Sequence, residues 1–173
     1  MSNKVITGKV RFSYANVFEP KSINGSDPKY SVSLIIPKED KVTIDKIKAA
    51  IEVAKKEGLS KLGGKIPANL KIPLRDGDID RPDDPAYADS YFVNANSTIR
   101  PGIVDANLQP IIDSTEFYSG CFGRASIVFY AYNANGNKGI ACGLQNLQKL
   151  EDGEPLGGRS RAEDDFGIDD ILG

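Results

Sequence analysis

Two sets of side chains in this chain have the types and spacing that chemistry needs. Lys9, Arg11, Lys29, Arg100, Arg124 and Lys138 are cations on or beside strand-like runs. Tyr91, Tyr118, Phe122, Tyr130 and Tyr132 are aromatics near strand ends or on outward faces. Cations along a groove neutralise phosphates, and exposed aromatic faces stack bases at about 1–3 kcal/mol per base, so the two together suit a flexible nucleic-acid single strand. Strands also favour Tyr and Phe for packing alone, which is the plain alternative for each ring. The second set is the aspartate run that opens at Asp76-Gly77-Asp78-Ile79-Asp80. It begins like a calcium loop, but Arg81 stands where that loop needs glycine and Tyr87 where it needs a bidentate glutamate. Asp78, Asp80, Asp83 and Asp84 leave a metal-dependent nuclease as an alternative. Against it stands a solvated, proline-rich loop.

Absences narrow the field further. None of the 173 residues is histidine, which excludes a Ser-His-Asp or Cys-His nucleophile and any His-ligated zinc or haem. Cys121 and Cys142 are too few for a disulfide scaffold and read as reduced, small core residues of an intracellular protein. No Gly-rich phosphate cradle ends in Gly-Lys-Ser/Thr, so no cofactor is expected. The N-terminus lacks a signal-peptide run and no apolar stretch approaches membrane-spanning length, so the expectation is a cytoplasmic protein with no membrane contact.

A net charge of −2 hides an asymmetry. The 22 basic and 24 acidic residues divide after Leu150 into 20 and 16 before it and 2 and 8 after it, net +4 and net −6. Residues 151 to 160 lack a strand or helix period and read as a flexible linker. The terminus beyond carries Asp164, Asp165, Asp169 and Asp170 interleaved with Phe166, Ile171 and Leu172. Such a segment cannot bury enough surface to fold alone. It is either a solubilising end or an interaction peptide, whose carboxylates also compete with phosphates for the protein's own basic groove. The chain thus divides into a folded unit, 1–150, and a linker with a disordered acidic tail, 151–173.

The elements that must position these groups are mostly strands. Val5 to Phe18 alternates, with Val10, Phe12 and Tyr14 on one face and a bend at Gly8. Tyr30, Val32, Leu34 and Ile36 form a second strand, antiparallel to the first, after a turn at 24–28. Ile44, Ile47, Ile51 and Ala54 place one helix over Thr43–Glu57, with Asp45 in its first turn and Gly58 closing it. Residues 63 to 90 read as a long loop leading into a strand at Tyr91, and a strand pair is expected near Ile103 and Ile111. The strongest signal is a hairpin, Arg124–Tyr132 and Ile140–Leu150 around an Asn/Gly-rich loop. Within it Ala125, Ile127, Phe129 and Ala131 face the core. Five or six strands with one helix and long loops fit a small barrel or sandwich, mainly β, and the outward Arg, Ser and Tyr suit a single-strand-binding OB surface.

Three segments carry a resemblance. Tyr118-Ser119-Gly120-Cys121-Phe122, the run Tyr130-Ala131-Tyr132-Asn133 with Asn135-Gly136-Asn137-Lys138-Gly139-Ile140, and Leu147 through Gly158 are together similar to a family of bacteriophage single-stranded-DNA-binding proteins. The similarity is strongest over residues 100 to 173. It implies an OB-fold-like Greek-key barrel, no catalysis, and single-stranded DNA as the ligand. It also implies an acidic tail that recruits replication or recombination proteins and competes with DNA. Two departures accompany it. The tail ends Asp169-Asp170-Ile171-Leu172-Gly173 with its aromatic earlier, at Phe166. The helix follows the second apparent strand, whereas a standard OB barrel holds it between the third and fourth. Either Val5–Phe18 is two bent strands or the barrel is rearranged. Edge strands or an exchanged tail leave room for a homodimer. A third reading is a protein-interaction module whose tail imitates DNA.

Overall fold

The computed structural model describes residues 2–22 and 25–156. Five long strands close a ring. They are β2 (Val10–Lys21), β3 (Lys29–Pro37), β5 (Ser90–Ser97), β7 (Phe122–Ala134) and β8 (Asn137–Glu151). β2 pairs antiparallel with β3, β3 with β5, and β7 with β8; β5 meets β8 in parallel at Asn96 and Gly143, and β7 returns to β2 at Gly123 and Val10. This connectivity is the five-stranded Greek-key closure of an OB barrel, which leaves no open sheet edge within the ring. Gly123 sits at the tight closing corner, where a Cβ would collide with the Gln148 carbonyl oxygen.

Three further strands are only three residues long. β1 (Lys4–Ile6) lies outside the ring against β7, β4 (Leu74–Asp76) against β5, and β6 (Gly102–Val104) against β8. The described strands therefore number eight, not five or six, because three residues are too few to show a period. Val5–Phe18 is indeed broken at Gly8, whose N–H donates to Thr43 Oγ1 at 2.9 Å. Its first half is not a ring strand, however, so the helix still falls between the second and third ring strands and the barrel is rearranged.

That helix, α1, runs Lys41–Glu57, two residues longer at its start than its apolar stripe suggests, because the Asp40 carboxylate caps it by accepting from Thr43 N at 3.1 Å. Asp45 consequently lies past the first turn. Ile44, Ile47, Ile51 and Ala54 are buried and plug one end of the barrel. Gly58 caps the far end with a negative φ, and its lack of a side chain admits Ala131, whose Cβ would collide with any Cβ there.

The hairpin behaves as its period requires. Ala125, Ile127, Phe129 and Ala131 are buried, and Cys121 and Cys142 are free thiols within the same core. The connection is tighter than the seven-residue loop expected: Asn135 and Gly136, at φ 55 and 88, make a two-residue turn, and both strands run up to it. Ile111 N donates to Ile103 O at 2.8 Å, but of the strand pair expected there only β6 is a strand, and the second segment meets it through an isolated bridge, Val104–Pro110. Between 63 and 90 the chain is not plain loop: it adds β4 and the short helix α2 (Gly77–Asp80). At the other end β8 continues to Glu151, and Asp152–Leu156 pack back on residues 118–122, so ordered contacts extend six residues past Leu150. Among the described residues no helix is long and apolar enough to cross a membrane.

Candidate nucleic-acid interface

The barrel's short parallel seam opens into a groove. β5 touches β8 at Asn96–Gly143, and β6 rejoins β8 at Gly102–Asn146, so residues 97–101 arch away from Leu144 and Gln145 between the two pairings. The space, about 640 Å³, is walled by that arch, by Lys29 at the start of β3 and by Val128 and Tyr130 on β7. Ile99 and Arg100 project from the arch, Ile99 with 76% of its surface exposed. Tyr130 stays 43% exposed because the residue diagonal to it on β8 is Gly143; a Cβ there would stand 3.4 Å from the ring. Burial of its other side raises the Tyr130 pKa, so the phenol is neutral at physiological pH.

Charge at the groove is one-sided. Lys29 and Arg100 have no carboxylate partner among the described residues; Arg100 instead stacks its guanidinium 5.6 Å from the Phe18 ring. Lys4 on β1, in register with Val128 on β7, is another exposed cation on this side. Two uncompensated cations beside an open aromatic face attract a polyanion whose flat groups can stack.

Of the eleven side chains singled out from sequence, Lys29, Arg100 and Tyr130 come together here. Tyr132 follows two residues on along the same outward face, half-buried over Gly139. Arg124 shares the β7–β8 face but is held flat by Gln148, whose Oε1 accepts from its Nε at 3.0 Å and Nη2 at 2.8 Å. Lys138 donates to the Leu62 carbonyl at 3.2 Å and fastens the loop after α1. Tyr91 lies half-buried on β5 with the Lys38 and Lys48 ammonium groups over its ring.

Lys9, Arg11, Tyr118 and Phe122 do not line the groove; Phe122 is about 26 Å from Tyr130 by strand length along β7. They clamp the end of the described chain. Lys9 and Arg11 flank the Phe122 ring at 5.3 Å each, Lys9 pairs with Glu151, and Arg11 Nη2 donates to the Glu154 carbonyl at 2.6 Å. Tyr118 donates to Asp152 Oδ1 at 2.8 Å, and burial followed by that bond raises its pKa. Lys149, and then Tyr118, hold the Asp152 carboxyl below its usual range. The tail positions Asp164, Asp165, Phe166, Asp169, Asp170, Ile171 and Leu172 lie outside the described residues.

The aspartate loop has structural partners. Asp76 and Asp78 pair with Lys38 at 3.0 and 2.8 Å, Asp80 pairs with Arg75 at 3.1 Å, and Asp84 accepts from Ala86 N at 3.1 Å. Among the described residues no three potential metal ligands converge.

Sequence reasoning missed the arch at 97–101, Phe18 and Lys21. An isoleucine and an arginine between a strand end and Pro101 are the only local hint of the arch. Nothing in the sequence says that the seam opens beneath it.

A closed OB-type barrel with a cationic, aromatic outer groove is the architecture of an oligomer-binding module. The chain matches the family described as Enterobacter phage Enc34, ssDNA-binding protein, over residues 3–172, and belongs to that family. It is 32% identical over 163 residues to putative protein p50 of Acyrthosiphon pisum secondary endosymbiont phage 1, covering 90% of this chain and 87% of that relative. Among solved structures, the single-stranded DNA-binding protein from bacteriophage Enc34 in complex with ssDNA superposes with TM-score 0.80 at 27% identity, covering 90% of each chain. The single-stranded DNA-binding protein gp2.5 of bacteriophage T7 shares the fold at TM-score 0.65 and 15% identity, covering 98% of this chain and 97% of that one.

Proposed function

We propose that this protein is a non-catalytic, sequence-tolerant binder of single-stranded DNA in phage replication or recombination, acting in the cytoplasm of an infected host. The observation that carries the reading is Lys29 and Arg100, unpaired among the described residues, on one groove with half-exposed Tyr130. Phosphates lie on the cations and a base stacks on the phenol ring. The similarity to a family member solved with ssDNA supports the same assignment. Fluorescence anisotropy of labelled oligo-dT and a matched duplex across salt concentrations is the direct test. Tight single-strand binding, weak duplex binding and a log-log salt slope near −0.7 per phosphate contact are expected. Absence of single-strand binding overturns the reading, and strand cleavage in magnesium or manganese would restore the nuclease.

Tyr130→Ala is expected to weaken single-strand affinity about tenfold, one stacked base being worth about 1–3 kcal/mol and 1.4 kcal/mol a factor of ten. A folded variant with full affinity removes Tyr130 from the site.

The tail 157–173 belongs to the same proposal as a regulator of access and a dock for replication or recombination proteins, with Phe166, Ile171 and Leu172 as apolar anchors. Removing it is expected to tighten DNA binding, most clearly at low salt, since its carboxylates compete with phosphates. The cut belongs after Leu156, because cutting after Leu150 also removes the partners of Lys9, Arg11 and Tyr118. Equal affinity at every salt concentration sinks the competition. A homodimer through an edge strand or an exchanged tail is checked by sedimentation of both lengths.

A further inference from the structure

A second groove runs along the outward side of β2. Tyr14, Asn16, Phe18 and Lys21 line it, and Ser114, Phe117, Tyr118 and Ser119 with Pro155 and Leu156 form its far wall, enclosing about 1010 Å³. Two contacts join it to the first groove. Phe18, in the second groove, carries the Arg100 guanidinium of the first at 5.6 Å. Lys21, in the second, is the registered partner of Lys29, in the first. The boundary between the grooves is therefore a saddle of three cations, Lys21, Lys29 and Arg100, with no carboxylate partner among the described residues.

Beyond that saddle stands Tyr14. Its φ of 48 lies in the left-handed region, which a bulky side chain adopts only when its surroundings enforce it. The β2–β3 register breaks between Ser13 and Asn16, and this bulge turns the ring outward, leaving it 56% exposed. The Arg81 guanidinium lies 5.3 Å from the Tyr14 ring and is itself set against Tyr87 and Phe92, at 5.1 and 5.2 Å. Arg81 Nε is buried without a hydrogen-bond partner among the described residues, and the three rings lie around the guanidinium. Glycine or asparagine would satisfy this backbone more easily, yet the position presents a backed, exposed aromatic face.

We infer that the DNA strand continues from the first groove across Phe18 and Arg100 into the second, where Tyr14 stacks a base. The inference rests on the single-strand reading of the first groove. Glu19 and Asp84 also line the second groove, so the strand turns its bases into the groove and keeps its phosphates on the solvent side there. Ser13 and Lys21 pair with Ser33 and Lys29, four residues apart on β3, so the second groove lengthens the path by about 13 Å. A path across both grooves falls within the roughly 4–16 nucleotides that an OB fold covers.

The test compares oligo-dT of about 6 and about 16 nucleotides on the full chain, on Tyr14→Phe and on Tyr14→Asn. Asparagine tolerates the left-handed backbone, so Tyr14→Asn should melt no lower than Tyr14→Phe. All three chains are expected to bind the short strand equally. On the long strand Tyr14→Asn is expected to lose about tenfold while Tyr14→Phe keeps its affinity. Unchanged long-strand affinity in Tyr14→Asn overturns the extension and leaves the groove to a protein segment. Failure of every chain to bind either length overturns the first-groove reading itself.

Discussion

Replacing Lys29 and Arg100 together by alanine weakens single-strand binding on the order of a hundredfold at about 0.1 M salt and flattens the log-log salt slope by about 1.4. Each cation is assigned one phosphate. A single-strand contact contributes about −0.7 to the slope, and a charge-assisted contact is worth about 1.5–3 kcal/mol, at least tenfold. Thermal stability should be nearly untouched, because neither side chain has a carboxylate partner among the described residues and both are exposed. Anisotropy titrations at four or five salt concentrations, with a thermal melt alongside, separate the two effects. The reverse pattern, lost stability with the slope intact, moves the site off the seam.

Phe12→Ala is expected to cost about 3–5 kcal/mol of stability, a large share of the roughly 5–15 kcal/mol that holds a domain of this kind folded. Phe12 is fully buried, with its ring 4.7 Å from Phe117 at an interplanar angle of 43°. Its backbone donates to the Cys121 carbonyl at 3.0 Å and accepts from Gly120 N at 2.7 Å. Truncating the ring opens a cavity beneath the segment on which Asp152–Leu156 are clamped. Urea unfolding should show a lower midpoint with an unchanged m-value. A loss under 1 kcal/mol would mean that the 117–121 segment collapses into the space and that the barrel closes without this contact.

Much of the barrel is legible locally because its signals are local. The β7–β8 hairpin announces itself through alternating Ala125, Ile127, Phe129 and Ala131 and through Asn135-Gly136, whose types tolerate the positive φ that a two-residue turn requires. The helix is legible through its apolar stripe, and its start is misread by two residues because a cap is a hydrogen bond and not a period. β1, β4 and β6 are invisible in the same way: three residues show no period, and their pairing partners are distant in sequence.

The candidate site divides along the same line. Residue type alone marks Lys9, Arg11, Lys29 and Arg100 as equivalent cations near strands, and marks Tyr118, Phe122 and Tyr130 as equivalent rings. Barrel closure separates them. It pairs the start of β7 with β2 and brings Lys9 and Arg11 to Phe122 and the 151–154 segment, while the far part of β7 faces the open seam.

The sequence by itself determined the mainly β class, the single helix, the absence of histidine chemistry, the charge split after Leu150 and the family resemblance. All of these are carried by composition or by patterns within about fifteen residues. Only the tertiary structure decided which cations lack a counter-ion, because an ion pair such as Lys9–Glu151 joins residues more than 140 apart. Only it placed Lys29, Arg100 and Tyr130 on one groove, since that groove exists where two strands distant in sequence stop pairing and the chain between them must arch away.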